Sequence, residues 1–201
     1  MLKLLVNIGD FIPLIIIAVV VILIVAIVSW VVSVYNKLVK ARNRVDNSWA
    51  QIDVQLKRRF DLIPNLVETV KGYTKHEQEI FTEFAKARQM YDSAKGNNSV
   101  KSLAEADANL SKALNIAVNA VQEKYPELQA NVNYQQLIAE LKDCENKISY
   151  NRQFYNDTVL NYLDLKQLFP SNIIASMFKF QDKEYFKVEE KEQREAPKVS
   201  F

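Results

Sequence analysis

The chain is predicted to be all-α, with a single N-terminal transmembrane helix continuing into an antiparallel up-and-down helical bundle of long helices. Three observations lead there. Residues 11–34, FIPLIIIAVVVILIVAIVSWVVSV, are an uncharged apolar run. Beyond them, apolar residues recur three and four positions apart over long stretches, the period of one helix face. The 201 residues also contain only 3 glycines and 5 prolines, far fewer turn formers than a sheet protein of this length requires.

Residues 1–10 read as a short apolar lead-in, with Gly9 and Asp10 just before the run. Pro13 falls in the first turn, where a missing N–H is harmless. About 24 residues make roughly 36 Å of helix, enough to cross a hydrocarbon core of about 30 Å. The run is longer than the core of a signal peptide and ends in Trp30-Val31-Val32 without a small-residue cleavage pattern, so it is read as an anchor that is retained. Residues 11–35 are assigned as the transmembrane helix. Trp30 and Tyr35 stand where amphipathic rings favour the headgroup layer, and Lys37, Lys40, Arg42 and Arg44 follow; these are the expected membrane-interface anchors. Only Lys3 lies on the other flank. Basic residues stay on the cytoplasmic side, so the N-terminus is expected outside and the large domain in the cytoplasm.

Residues 36–170 are assigned to the bundle. Its first helix continues from the span, as one long helix from Phe11 to about Arg59, and if unbroken carries the Lys57-Arg58-Arg59 cluster roughly 35 Å past the membrane surface. Val45, Trp49, Ile52, Leu56, Phe60 (or Arg59), Ile63, Leu66 or Val67, and Val70 fall on one face. Pro64 removes a backbone donor and is expected to kink the helix near Phe60 rather than end it, because the pattern resumes in phase. Gly72 weakens the end, and Tyr73-Thr74 close it. A second helix is expected over residues 76–94, capped by Thr74 with Glu77, with Ile80, Phe84, Ala87, Tyr91 and Ala94 inward. After the loop KGNNSVKS, a third runs over 102–124, capped by Ser102 with Glu105. Its apolar face is Leu103, Ala106, Leu110, Ala113, Leu114, Ala117 and Val121, and Tyr125-Pro126 stops it. The fourth, of roughly 35 residues, is capped by Asn133 with Gln136 and ends at Phe169-Pro170. Leu137, Leu141, Cys144, Ile148, Tyr155, Val159 and Tyr162 continue along it at heptad-like, coiled-coil spacing. Its length matches the first bundle helix, which predicts two long antiparallel partners. Residues 171–201 form a tail, first apolar (Ile173, Ile174, Met177, Phe178, Phe180, Tyr185, Phe186) and then charged, with Arg194 onward as an exposed end. The apolar part is expected to cap the bundle, contact a neighbouring subunit or touch the bilayer.

Chemistry is sparse. Lys plus Arg number 26 against 24 Asp plus Glu, a balance that gives no electrostatic case for nucleic acid. The one histidine, His76, sits at a helix start, and zinc needs three or four ligands, so no metal site is expected. The one cysteine, Cys144, lies on a core face without a nearby imidazole and is expected to be a buried small apolar residue. No phosphate-binding glycine loop, nucleophile elbow or zinc-protease motif occurs. No catalytic residue, cofactor or small-molecule substrate is therefore expected, and the chain is read as no enzyme. Lys57, Arg58 and Arg59 read first as a solvated face, with Asp53 and Asp61 at salt-bridge spacing. They remain candidates for an interaction surface, together with Asn65, Glu68, Lys71, Phe178, Phe180 and Phe186.

Several stretches carry a resemblance. YNKLVKARNRVDNSW, QIDVQLKRRFDLIPNLVETVKGYTKHE, AVQEKYPELQANVNYQQLIAEL, ENKISYNRQFYNDTVLNYL, the Phe169-Pro170 pair and the REAPKVSF ending closely resemble the LemA family of bacterial membrane proteins. The resemblance implies a single-pass membrane anchor with a cytoplasmic or envelope-associated antiparallel helical bundle, and the expected location is the bacterial inner membrane. It implies no catalytic residues, because the family has none established, and it places the chain among envelope or membrane-organisation proteins, some encoded beside a membrane metalloprotease. The expected function is a membrane-tethered scaffold or adaptor that self-associates as a homo-oligomer. The alternative is a regulatory or substrate-presenting partner of a membrane protease or sensor. The expected partners are thus the lipid bilayer, further copies of the chain, and in the alternative a membrane protein.

Overall fold

The computed structural model describes residues 8–72, 78–96 and 99–187. Among them 89% are helical and none lies in a strand. The helices, in order, are α1 (Ile8–Lys71), α2 (Gln78–Gly96), α3 (Val100–Lys124), α4 (Pro126–Gln129), α5 (Val132–Gln167) and α6 (Ser171–Met177). By packing, the chain divides into two compact units: Met1–Arg44 with Asn161–Asp182, and Val45–Leu160 with Lys183–Phe201.

α1 is one helix of 64 residues. It runs through Pro64 without a loop, and the last turn closes with the Gly72 amide on the Glu68 carbonyl. The expected closing residues Tyr73-Thr74, the Thr74–Glu77 cap and His76 lie outside the described residues.

The unit of Val45–Leu160 with Lys183–Phe201 holds the bundle core. Val45, Ile52, Leu56, Phe60, Ile63, Leu66 and Val70 of α1 are all buried, a stripe at the spacing that keeps one helix face inward. Leu110, Ala113, Leu114 and Ala117 of α3 and Leu141, Cys144, Ile148, Tyr155 and Val159 of α5 are buried as well. α1 and α5 run antiparallel: Arg58 meets Glu140, Asn151 donates to the Gln51 carbonyl, and Ser48 bonds Thr158 at 2.9 Å. α2 joins through a ring stack between Phe60 and Tyr91, with centroids 3.7 Å apart. The short α4, which periodicity does not reveal, buries Leu128.

Two helix starts differ from expectation. The cap of α3 is Ser99, whose Oγ accepts the Ser102 amide, so Ser102 lies within the helix rather than capping it. The cap of α5 is Asn131, whose side-chain oxygen accepts the Tyr134 amide at 3.1 Å, not Asn133. In both cases a capping side chain earlier in the sequence satisfies an orphan amide, and the helix begins a few residues sooner.

The other unit contains the apolar half of α1. From Ile12 through Tyr35 its described side chains are exposed or half-buried throughout. Farther along, Leu38 is buried, as are Tyr162, Ile174, Ala175 and Phe180. α6 ends in a tight cap. The Phe180 amide reaches the Ala175 carbonyl and the Lys179 amide reaches that of Ser176, with Lys179 at a φ of 54°. These paired bonds around one left-handed residue form a Schellman motif, with a lysine where glycine is usual. The chain then turns back along the end of α5, where the Tyr162 hydroxyl donates to the Gln181 carbonyl at 2.6 Å.

Candidate functional site

The most concentrated polar chemistry is a buried charge cluster in the bundle. Arg59 of α1 is only 2% exposed. Its Nη1 donates to Asp107 Oδ1 at 2.8 Å and lies 2.7 Å from Glu145 Oε2, and its Nη2 donates to Ser111 Oγ at 3.0 Å. One guanidinium therefore joins α1 to α3 and α5. Ser111 in turn donates to the Asp107 carbonyl. The Arg59 Nε is buried with no hydrogen-bond partner. Burial pushes the Asp107 carboxyl above its ordinary value, with the Arg59 guanidinium opposing it and Glu145 adding to it. The cluster sets a fixed cation among two carboxylates and a hydroxyl drawn from other helices, which suits joining helices. Nearby on α5, Cys144 is fully buried, and desolvation pushes its thiol up, away from the reactive thiolate. Among the described residues no cluster of three or more His, Cys, Asp or Glu could hold a metal ion.

A second cluster in the same unit fixes the returning chain to α5. Phe186 is 1% exposed and stands 6.0 Å from the Trp49 ring, which lies 5.6 Å from Tyr155. Asn156 brackets Phe186, accepting its amide at 2.9 Å and donating to its carbonyl at 3.2 Å. The Tyr155 hydroxyl donates to the Glu184 carbonyl at 2.8 Å. Burial first, and then the nearby Asp46 and Glu184, push that hydroxyl up to about 12. Lys183 pairs with Asp46 at 2.6 Å.

The expected interaction surface therefore needs three corrections. Arg59 is not solvated, because its partners come from α3 and α5 rather than from Asp53 or Asp61 on its own helix. Phe180 and Phe186 are buried within the chain, so neither is a surface residue. Lys57, Arg58, Asn65, Glu68 and Lys71 are exposed along α1, with Lys71 paired to Glu68 and Arg58 to Glu140 at 3.5 Å. The structure does not gather them into a pocket. An open depression of about 370 Å³ lies elsewhere on the bundle, lined by Gln89, Met90, Ser93, Ala94, Ser102 and Glu105.

The expected interface anchors lie in the other unit. Trp30, Tyr35, Lys37, Lys40, Arg42 and Arg44 are exposed on α1. Tyr35 packs on Phe178, with centroids 4.7 Å apart, and on Phe180 at 5.8 Å. Arg42 stands 5.7 Å over the Phe180 ring. Sequence reasoning named Arg59 without its partners. Asp107, Ser111 and Glu145 sit on helices far along the chain, and no local spacing links them to it.

A family model described as "LemA family" matches residues 48–201. The magnetosome protein MamQ of Magnetospirillum gryphiswaldense is 23% identical over 192 residues, covering 84% of this chain and 70% of the relative. Magnetosome protein MamQ 2 of Paramagnetospirillum magneticum is 24% identical over 195 residues, covering 84% and 71%.

Proposed function

The chain belongs to the LemA family, and from that premise we propose that it is a membrane-anchored helical-bundle scaffold of the bacterial cell envelope, non-enzymatic and self-associating. The observation that carries this reading is the apolar half of α1. It is long and apolar enough to cross a membrane, and none of its span is buried inside the protein. Water-exposed, such a surface would be strongly unfavourable at about 25 cal/mol per Å² of apolar area; in a bilayer it is satisfied. The basic residues Lys37, Lys40, Arg42 and Arg44 that follow the apolar run support an inner-membrane anchor with the bundle on the cytoplasmic side. The likeness to magnetosome proteins supports a membrane-associated helical protein and brings no mineral-related role to this chain.

The test is the mass of the full chain in mild detergent or lipid nanodiscs by native mass spectrometry. A defined assembly of several copies is the expected result. A single copy at all concentrations overturns self-association and turns attention to a membrane protein partner, a protease or a sensor. In that alternative the span itself carries recognition, so replacing residues 11–34 with an unrelated apolar helix abolishes function, whereas a scaffold tolerates the exchange.

A further inference from the structure

We propose that the turn between α5 and α6, together with the outer face of α6, is a second membrane-contact element that seats in the lipid headgroup and upper acyl region beside the α1 span. Residues 168–178, LFPSNIIASMF, contain no charged residue. Ile174 and Ala175 turn inward and are buried, while Leu168 is 62% exposed, Phe169 80%, Met177 62% and Phe178 49%. A contiguous apolar knob of this kind is uncommon on a water-facing surface and marks a contact with lipid or another protein. Its position in the fold decides for lipid. Phe178 packs on Tyr35 at 4.7 Å, and Tyr35 is the aromatic residue that directly follows the exposed apolar run of α1. The knob thus opens where the span ends, within one packed unit. Lys179 flanks it in sequence, and Lys37 and Lys40 are exposed on the same unit; Lys166, on the other flank, is paired to Asp182. That arrangement, apolar insertion bordered by lysines, is what binds an anionic interface. The span and knob would fix the unit to the bilayer at two points, which a single helix free to rotate about its axis does not do. This inference rests on the anchor reading of α1.

The experiment uses the full chain reconstituted into phosphatidylethanolamine and phosphatidylglycerol vesicles. Single cysteines at Ile22→Cys, Leu168→Cys and Met177→Cys carry an environment-sensitive fluorophore. Cys144 is buried, and unsubstituted protein serves as the control for its labelling. Ile22, Leu168 and Met177 are all exposed, so the substitutions leave the packed side chains in place. Two quenchers are compared: a spin label on the lipid acyl chain near the headgroup, and aqueous iodide. Blue-shifted emission at 168 and 177, with most of it lost to the lipid spin label and little to iodide, is the expected result. Quenching of 168 and 177 by iodide alone, while 22 is quenched by lipid, overturns the proposal and leaves the anchor intact. Protection from both quenchers that disappears on dilution with lipid means a second copy covers the knob, and also overturns it. Loss of lipid quenching at 22 removes the anchor itself, and the proposal with it.

Discussion

Position 59 is where helical periodicity alone leaves two residues competing for the core, Phe60 and Arg59. The structure buries both. A long planar cation can do so because α3 and α5 supply Asp107, Ser111 and Glu145 around it. Removing one member of a buried pair leaves an uncompensated charge, at a cost of roughly 3–5 kcal/mol. Arg59→Met is therefore expected to lower the unfolding free energy of the detergent-solubilised chain by about 3 kcal/mol, read by urea titration. The double variant Arg59→Met/Asp107→Leu is expected to be clearly less destabilised than the sum of its single changes; strict additivity would show that the pair is uncoupled. Arg59→Lys is no conservative replacement, since an ammonium does not reproduce the fork that reaches two helices. Burial holds the Asp107 carboxyl above its unfolded value of 3.8. Its contribution to stability is thus full below that value and is lost as pH rises through the folded value. Asp107→Asn is expected to remove that loss, flattening stability against pH from 3.8 upward, and an unchanged slope would count against desolvation as the dominant effect.

Helix bodies follow from apolar spacing, whereas helix ends depend on a few backbone groups. A cap needs one side-chain oxygen near one orphan amide, and more than one candidate stands near each start: Ser99 and Ser102 at α3, Asn131 and Asn133 at α5. Spacing alone points to Ser102 and Asn133, but the turns that lead into the helices select Ser99 and Asn131. Asn131→Ala is expected to destabilise the bundle by about 1 kcal/mol in thermal or urea unfolding, and Asn133→Ala by much less. Lys179 is a sharper case. It holds the left-handed position of the α6 cap, where a side chain beyond Cα is disfavoured. Lys179→Gly is expected to stabilise the chain by about 1 kcal/mol, offset in part by the greater freedom of unfolded glycine. A drop in melting temperature would mean that the lysine side chain contributes more than its backbone strain removes. The tail behaves similarly. Its aromatic residues are visible in sequence, but partners far from it in the chain, Asn156 and Tyr155 some 30 residues upstream and Trp49 on α1, hold Phe186 inside.

For the whole chain, membrane attachment is tested most directly at the middle of the apolar run. Ile22→Lys places a charge near the bilayer centre at a cost of about 3 kcal/mol, so more of the protein should become extractable from membranes by alkaline carbonate than with the unsubstituted chain. No change in extraction would argue that α1 does not lie across the bilayer. The sequence by itself determined the all-helical class, the apolar run of α1, the stripe from Val45 to Val70 and the burial of Cys144. These depend on composition and on the period of residues along one helix, which are local properties. Only the tertiary structure decided which charges are buried, where α3 and α5 begin, and which tail aromatics face inward. It also decided that Tyr35 meets Phe178. Each of those outcomes depends on a partner distant in sequence, and helical periodicity says which face of a helix is apolar without saying what will cover it.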